Sequence, residues 1–303
     1  EEKKIVQITL LTKLVTTLLT IIGAMLFFVF YLLLLNFMLD LDFMDQYRLP
    51  RMSLNSWFNL LDYVSFNNNE KVLGMEKEVL AKAGFNVLIV LIFFTHHLIF
   101  ANNKNKMKIA RVFPSFLAYE RGLFTLISDV IMIGMFFLYQ PIPEVVYLNL
   151  TENLYLSNIR LFFLGFSQLQ MILCFAFIFE TDLLGLSRMI TVLKNSEVEF
   201  PQETIPSLAW IYTLCRHPIQ GSFLMLFYFS SLEYSLGRLV FISMFTLGIV
   251  MGVVQEEKQL LKMIKSYHYY KTQVPYSFVA NPFNIPYSKE LISRLDNYKK
   301  GKT

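Results

Sequence analysis

The chain has 303 residues, 55% of them hydrophobic and only 17% charged, against about 45–50% and about 25% in ordinary soluble domains. With 30 Phe, 16 Tyr and 2 Trp, it is too apolar to stay disordered or to be solvated as one globule. Two cysteines exclude a disulfide scaffold and an all-cysteine metal site, and a formal charge of +4 is too small for a nucleic-acid footprint. Cys174 and Cys215 both sit beside apolar residues and read as core positions.

In chain order, runs with no charged residue occupy 14–39, 83–103, 161–179, 218–232 and 239–255, and 122–143 is broken only by Asp129. A helix needs about 20 residues to cross a hydrocarbon core roughly 30 Å thick. The runs at 14–39, 83–103, 122–143 and 161–179 span on their own. The last two span only with flanking residues, and they read as a tightly turned antiparallel hairpin joined at 233–238. Asp129 at mid-bilayer costs about 3 kcal/mol, and the Leu, Ile, Val and Phe of its run return roughly 3–7 kcal/mol. That helix therefore spans, with Asp129 facing protein or water rather than lipid. Stretches 66–70 and 195–206 read as loops. Lys258, Lys262, Lys265 and Lys271, set among Leu260, Leu261, Met263 and Ile264, predict an amphipathic helix on anionic lipid. The expected fold is an all-α polytopic membrane bundle of about six transmembrane helices with a C-terminal amphipathic helix.

Six spans put both termini on one side. That side then carries 20 of the 27 Lys and Arg residues and the other side 7, which places the termini inside. The 40–82 loop, with 7 acids to 5 bases, falls outside. The first run is about twice the length of a signal-peptide core, and no small-residue cleavage site follows it. A start at Glu1 rather than Met is compatible with a targeting segment removed before it.

Two segments could carry chemistry. Residues 212–221 read YTLCRHPIQG, which sets Arg216 and His217 before Pro218, a residue suited to the first position of a helix. A helix entrance with a cation favours anions, and a positive flank anchoring a span explains the same residues. Residues 255–275 read QEEKQLLKMIKSYHYYKTQVP. Glu256 and Glu257 there close the last span against the helix dipole, a place that calls for a partner. Arg216, across the hairpin on the same face, is one candidate partner for the two carboxylates, and solvation of Glu256 and Lys258 at the interface is the other reading. Among the remaining polar residues, His96 and His97 end the second run, and Gln168 and Gln170 suit hydrogen bonds between helices. Four histidines without a second cluster argue against a metal site.

The order RHP, short hairpin, EE, basic helix with Y-x-x-Y, then VP resembles the carboxyl-terminal pattern of isoprenylcysteine carboxyl methyltransferase-like membrane methyltransferases. Upstream, His96-His97, Glu120-Arg121, YQPIP at 139–143 and DLLGL at 182–186 resemble the branch containing methanethiol S-methyltransferases, NnrU proteins and nurim. The resemblance covers roughly 80–283. It divides the chain into an added N-terminal helix and outer loop at 1–78, a methyltransferase-like membrane domain at 79–283 and a tail at 284–303. It implies S-adenosylmethionine as cofactor, bound at the inner face by Arg216, His217, Pro218, Glu256, Glu257 and Tyr270, with His97 on the substrate side and no metal.

The pattern also departs from the family. Active members read R-H-P-x-Y-x-G, whereas Gln220 holds the tyrosine place, Ser222 the glycine place, and Gly221 comes one position early. Met263-Ile264 replaces an F-G step, and Arg188 replaces a glutamine. Two functions follow as expectations. One is a thiol S-methyltransferase acting on a small or lipid-borne thiol. The other is a non-catalytic, nurim-like structural subunit of a larger membrane complex, such as a mitochondrial respiratory assembly. Membrane lipid is the expected partner in both, and nucleic acid in neither. The endoplasmic reticulum or nuclear envelope and the mitochondrial inner membrane are the compartments these readings imply. The topology predicts that a cysteine placed at Ser65 reacts with an impermeant maleimide only from outside, and one at Ser288 only from inside. Reaction of both from one face would refute the six-crossing count.

Overall fold

The computed structural model describes residues 4–39, 71–72, 75–140, 142, 146–150, 152–176, 184–200, 211–263 and 265–279. Most of the outer loop, including Ser65, lies outside them, as do Pro141, Pro143, Asp182, Leu183 and the tail with Ser288.

Ten helices are described: α1 (Leu10–Leu39), α2 (Lys77–Ala101), α3 (Asn103–Val112), α4 (Phe116–Leu138), α5 (Leu154–Ala176), α6 (Leu186–Lys194), α7 (Ile211–Leu214), α8 (Pro218–Phe229), α9 (Leu236–Met263) and α10 (Lys265–Gln273). Five of them, α1, α2, α4, α5 and α9, are long and apolar enough to cross a membrane. They turn large apolar side chains outward, Leu14, Leu32, Ile92, Phe162 and Leu247 among them, as a lipid-facing surface requires. This is an all-α, multi-pass integral membrane protein. The segment expected at 218–232 is α8, only 12 residues or about 18 Å long. Pro218 fixes where α8 starts, and Ser230 ends it.

Neighbouring helices pack both parallel and antiparallel. α1 and α4 run parallel, with Thr20 against Gly122 and Phe30 stacked on Phe136. α2 and α9 are parallel too, because Phe94 lies against Gly248 and Gln255 Nε2 donates to the Leu98 carbonyl at 3.3 Å. α5 and α8 are antiparallel, joined from Arg160 to the Ser230 carbonyl and from Gln170 to the Pro218 carbonyl. The core is aromatic: Phe93 and Phe94 of α2, Phe227 of α8, and Phe241 and Phe245 of α9 are all buried. Phe241 and Phe245 stack at 4.4 Å. As expected, Asp129 faces protein, at 4% exposure. Gln168 and Gln170 both bond between helices, Gln168 accepting from Tyr31 at 2.5 Å.

Short strands tie the two ends. At one end, β1 (Lys4–Gln7) pairs antiparallel with β5 (Glu197–Phe200). This corrects the loop expected at 195–206, because the chain's own N-terminal strand supplies backbone partners that the local sequence does not reveal. Residues 201–206 lie outside the described ones. A hairpin of β2 (Lys71–Val72) and β3 (Met75–Glu76) leads into α2. At the opposite end from β1 and β5, β4 (Val146–Asn149) pairs with β6 (Glu233–Ser235), joining the α4–α5 connection to the α8–α9 turn.

The α1–α4 crossing depends on absent side chains. A Cβ at Gly122 would lie 2.8 Å from Thr20 Oγ1 and 2.9 Å from its backbone nitrogen. Thr16 and Thr20, each 1% exposed, complete a small-residue seam of the type that brings membrane helices together. Gly122→Val should force the pair apart and cost about 1–3 kcal/mol, read as a lowered unfolding temperature in detergent. An unchanged temperature would show that this seam does not hold α1.

Candidate functional site

The RHP segment lies between the end of α7 and the start of α8. Its depth follows from α5: Pro218 is level with Gln170, six residues before the described end of that helix, or about 9 Å along it. The helix entrance is thus sunk below the end of its neighbour. Arg216 is 8% and His217 4% exposed.

At the centre stands the Glu257 carboxylate. Its Oε1 accepts from Arg216 Nε at 2.7 Å and from His217 Nε2 at 3.1 Å, and its Oε2 accepts from Lys271 Nζ at 2.5 Å. A carboxylate can only accept, so His217 carries its proton on Nε2. Arg216 continues outward, donating to the Val274 carbonyl and, at 2.6 Å, to Ser277 Oγ. Of the two carboxylates for which Arg216 was a candidate partner, it is Glu257 that meets it. One residue turns a helix by about 100°, which points Glu257 at α8 and α10 and leaves Glu256 beside them. Glu256 Oε2 lies 3.8 Å from His217 Nδ1, with its side chain 52% exposed.

The chain beyond α10 folds back as a strap over the helix entrance. The Arg216 and His217 backbone N–H groups donate to the Tyr276 and Ser277 carbonyls at 3.0 and 2.8 Å. A Cβ at Gly221 would fall 1.7 Å from the Phe278 carbonyl oxygen, so the early glycine is what lets the strap lie down. Ser222, in the family's glycine place, donates to the Pro218 carbonyl of its own helix at 2.9 Å. Arg216 and the nearby backbone donors thus hold protein groups, where the sequence suggested an external anion.

The basic helix expected at 258–271 divides between the end of α9 and α10, and its tyrosines pack inward. Tyr267 and Tyr270 are 2% and 3% exposed, and Tyr270 donates to the Tyr212 carbonyl at 2.6 Å. Burial, then the neighbouring thiol of Cys215 and phenol of Tyr212 behind that of Tyr267, pushes the Tyr270 phenol well up, so it stays a neutral donor. Cys174 and Cys215 are free and buried, as core positions should be. Burial raises the Cys215 thiol to about 12, which removes it as a nucleophile near neutral pH.

On α9, Phe245, Gly248, Gly252 and Glu256 share one stripe by helical period. Phe245 is 3% exposed and Gly248 packs against the Phe94 ring, yet a Cβ at Gly252 would meet nothing within 4 Å. One turn on, Glu256 is half exposed on the face that was core. Tyr212 is close enough for the Glu256 carboxylate to raise its phenol and for Arg121 to lower it, both after the larger effects of burial and Cys174. That sets α4 near the same region.

The other motif residues have separate places. Glu120, 5% exposed, pairs with Lys106 at 2.9 Å and Arg188 at 2.5 Å, so the arginine that departs from the family pattern meets the motif glutamate. Tyr139 donates to the Gly237 carbonyl at the far end of the bundle, where it is scaffold. Gly185 opens α6 against the Arg121 side chain. Lys106, Arg188, Lys271 and the strap were not singled out as site residues in the sequence. The VP step and the early glycine were the signals for the strap.

The chain is 28% identical over 191 residues to a methanethiol S-methyltransferase of Pseudomonas deceptionensis, covering 62% of this chain and 70% of that protein. It is 27% identical over 195 residues to methanethiol S-methyltransferase 2 of Bradyrhizobium diazoefficiens, covering 63% and 70%. This chain is a relative of the methanethiol S-methyltransferases. No protein-family profile and no solved structure matches it.

Glu257→Gln should leave Arg216 and Lys271 facing an amide and cost about 1–3 kcal/mol. Hydrogen exchange should show 274–279 losing protection before the rest of the bundle. Unchanged protection there would show that Glu257 does not hold the strap.

Proposed function

We propose that the protein is a membrane methyltransferase that uses S-adenosylmethionine to methylate a small or lipid-borne thiol, at the face where Arg216 and Glu256 lie. By the distribution of basic residues this is the inner face, with both termini on the same side. The observation that carries the reading is Glu256, a carboxylate left half exposed beside His217 and the buried Arg216–Glu257 pair. It lies one helical turn beyond Gly252, where a Cβ would meet nothing within 4 Å, among residues that the family pattern assigns to the cofactor. The kinship to proteins named for thiol methylation supports it.

When bound, S-adenosylmethionine supplies an electrophilic methyl group on a sulfonium. The residues present fit such a ligand. Glu256 offers a half-exposed carboxylate to an ammonium group. Lys271, its side chain 39% exposed, is the cation at the rim for a carboxylate. His217, fixed through Nε2 by Glu257, sets its ring beside Glu256. Arg216, Pro218, Glu257 and Tyr270 shape the wall by locking α8, α9 and α10 together. Methyl transfer to sulfur is an in-line displacement, for which such positioning is the main requirement.

The direct Arg216–Glu257 pair and the strap over the helix entrance favour a second reading, a non-catalytic relative in which the same contacts only stabilise the fold. One experiment separates the two. Purified protein should bind S-adenosylmethionine and convert methanethiol to dimethyl sulfide, and Glu256→Gln should weaken cofactor binding by about 1.5–3 kcal/mol with unfolding temperature unchanged. Absence of cofactor binding by the unaltered protein would refute the enzymatic reading and leave the structural one.

A further inference from the structure

α3 joins two membrane-crossing helices with almost no slack. α2 ends at Ala101 and α4 begins at Phe116, and the two are antiparallel, with Asn86 bonded to the Gln140 carbonyl at one end and His97 against Phe124 toward the other. The ten residues of α3 therefore lie across the ends of two spans, at the level of the headgroups. One side of α3 is packed. Ala110 is fully buried, and Met107 and Ile109 pack with it among Val6 of β1, Val198 of β5 and Val192 of α6. Lys106 turns inward to Glu120. At the start of the helix Asn102 accepts from the Lys104 N–H, and the Asn103 N–H donates to Gln259 Oε1 of α9 at 3.2 Å. These contacts fix which side faces out.

Lys104, Lys108 and Arg111 occupy the outer side, all exposed. Spacing of i, i+4 and i+7 sets them on one stripe, about 10 Å long. α3 contains no acidic residue, and among the described residues none of the three cations forms an ion pair. At the end of the stripe Val112 and Phe113 are 71% and 62% exposed. A row of cations ending in apolar side chains combines the two features by which an interfacial helix holds anionic lipid.

We propose that the outer face of α3 binds phospholipids whose headgroups carry net negative charge. Their phosphates meet Lys104, Lys108 and Arg111, and Val112 and Phe113 enter the boundary with the acyl chains. The basic segment 258–271, which the sequence suggested for anionic lipid, is built differently. Tyr267 and Tyr270 of α10 are buried, Lys271 bonds Glu257, and Lys258 and Lys262 share the end of α9 with the half-exposed Glu256. The surface is independent of the methyltransferase reading, since none of its residues belongs to the candidate site.

The test places a tryptophan at Phe113 in protein whose own Trp57 and Trp210 are replaced by Phe. The protein is reconstituted in phosphatidylcholine bilayers, and its fluorescence is quenched by brominated phosphatidylglycerol or brominated phosphatidylcholine at equal mole fraction. Phosphatidylglycerol should be preferred by about fivefold or more, the effect of a single cation at an anionic surface. The preference should fall as sodium chloride screens it. Lys104→Gln, Lys108→Gln and Arg111→Gln together should bring the two lipids to equal quenching, whereas Lys258→Gln with Lys262→Gln should leave the preference intact. In unaltered protein, which needs no substitution to fold, phosphatidylglycerol but not phosphatidylcholine should protect Lys104 and Lys108 from acetylation by acetic anhydride. Equal quenching before the cations are removed, a preference that survives their removal, a preference lost with Lys258 and Lys262 instead, or absence of protection would overturn the proposal. So would loss of the preference to inorganic phosphate at an ionic strength where chloride leaves it, a result that would assign the cations to a free anion.

Discussion

The end of the molecule that carries RHP is organised around one buried carboxylate. Glu257 ends a span, where the helix dipole opposes it, and it is kept there by a guanidinium and an imidazole of the RHP segment and an ammonium of α10. Removing one partner from such a cluster leaves an uncompensated charge, so RHP, the end of α9 and α10 have to be positioned together. The strap at 274–279 extends the same arrangement, because Arg216 bonds it through side chain and backbone at once. A helix entrance that would otherwise expose orphan donors is thereby covered by the chain's own carbonyls.

The α9 stripe that ends at Glu256 runs beside that lock. α9 is straight enough in its pattern for one stripe to run from the aromatic core to Glu256. Packing on the stripe depends on what faces it. Phe93 and Phe94 fill it as far as Gly248, and beyond them α2 presents imidazoles while α8 ends its inward reach at Pro218. At the end of the stripe Glu256 is half exposed beside His217.

The family motifs divide into scaffold and site. The Tyr139 motif fastens the far end of α4 to α9, and Glu120 neutralises Lys106 and Arg188. These contacts set the distances between helices. The departures from the pattern are similarly local. Arg188 gains a carboxylate, Ser222 bonds its own helix turn, and Gly221 accommodates the Phe278 carbonyl. Each is compensated within the fold, so the altered sequence does not by itself imply a broken site.

By itself, the sequence determined the class of molecule. Charge-free runs of about 20 residues dictate helices in a bilayer, and the spacing of RHP, EE and Y-x-x-Y dictates which helices meet. It also carried Asp129 inward and Gln168 and Gln170 to interhelical bonds, since lipid offers such groups no partner. Other features were decided only by tertiary structure. Whether Arg216 meets Glu256 or Glu257 depends on the rotation of α9 about its axis, which adjacent identical residues cannot reveal. The pairing of β1 with β5 joins segments nearly 200 residues apart, beyond the reach of local pattern. The strap depends on a single missing side chain at Gly221, and the half-length of α8 on where its neighbours leave room. These are questions of distance and rotation between helices, and side-chain packing across the bundle is what fixes them.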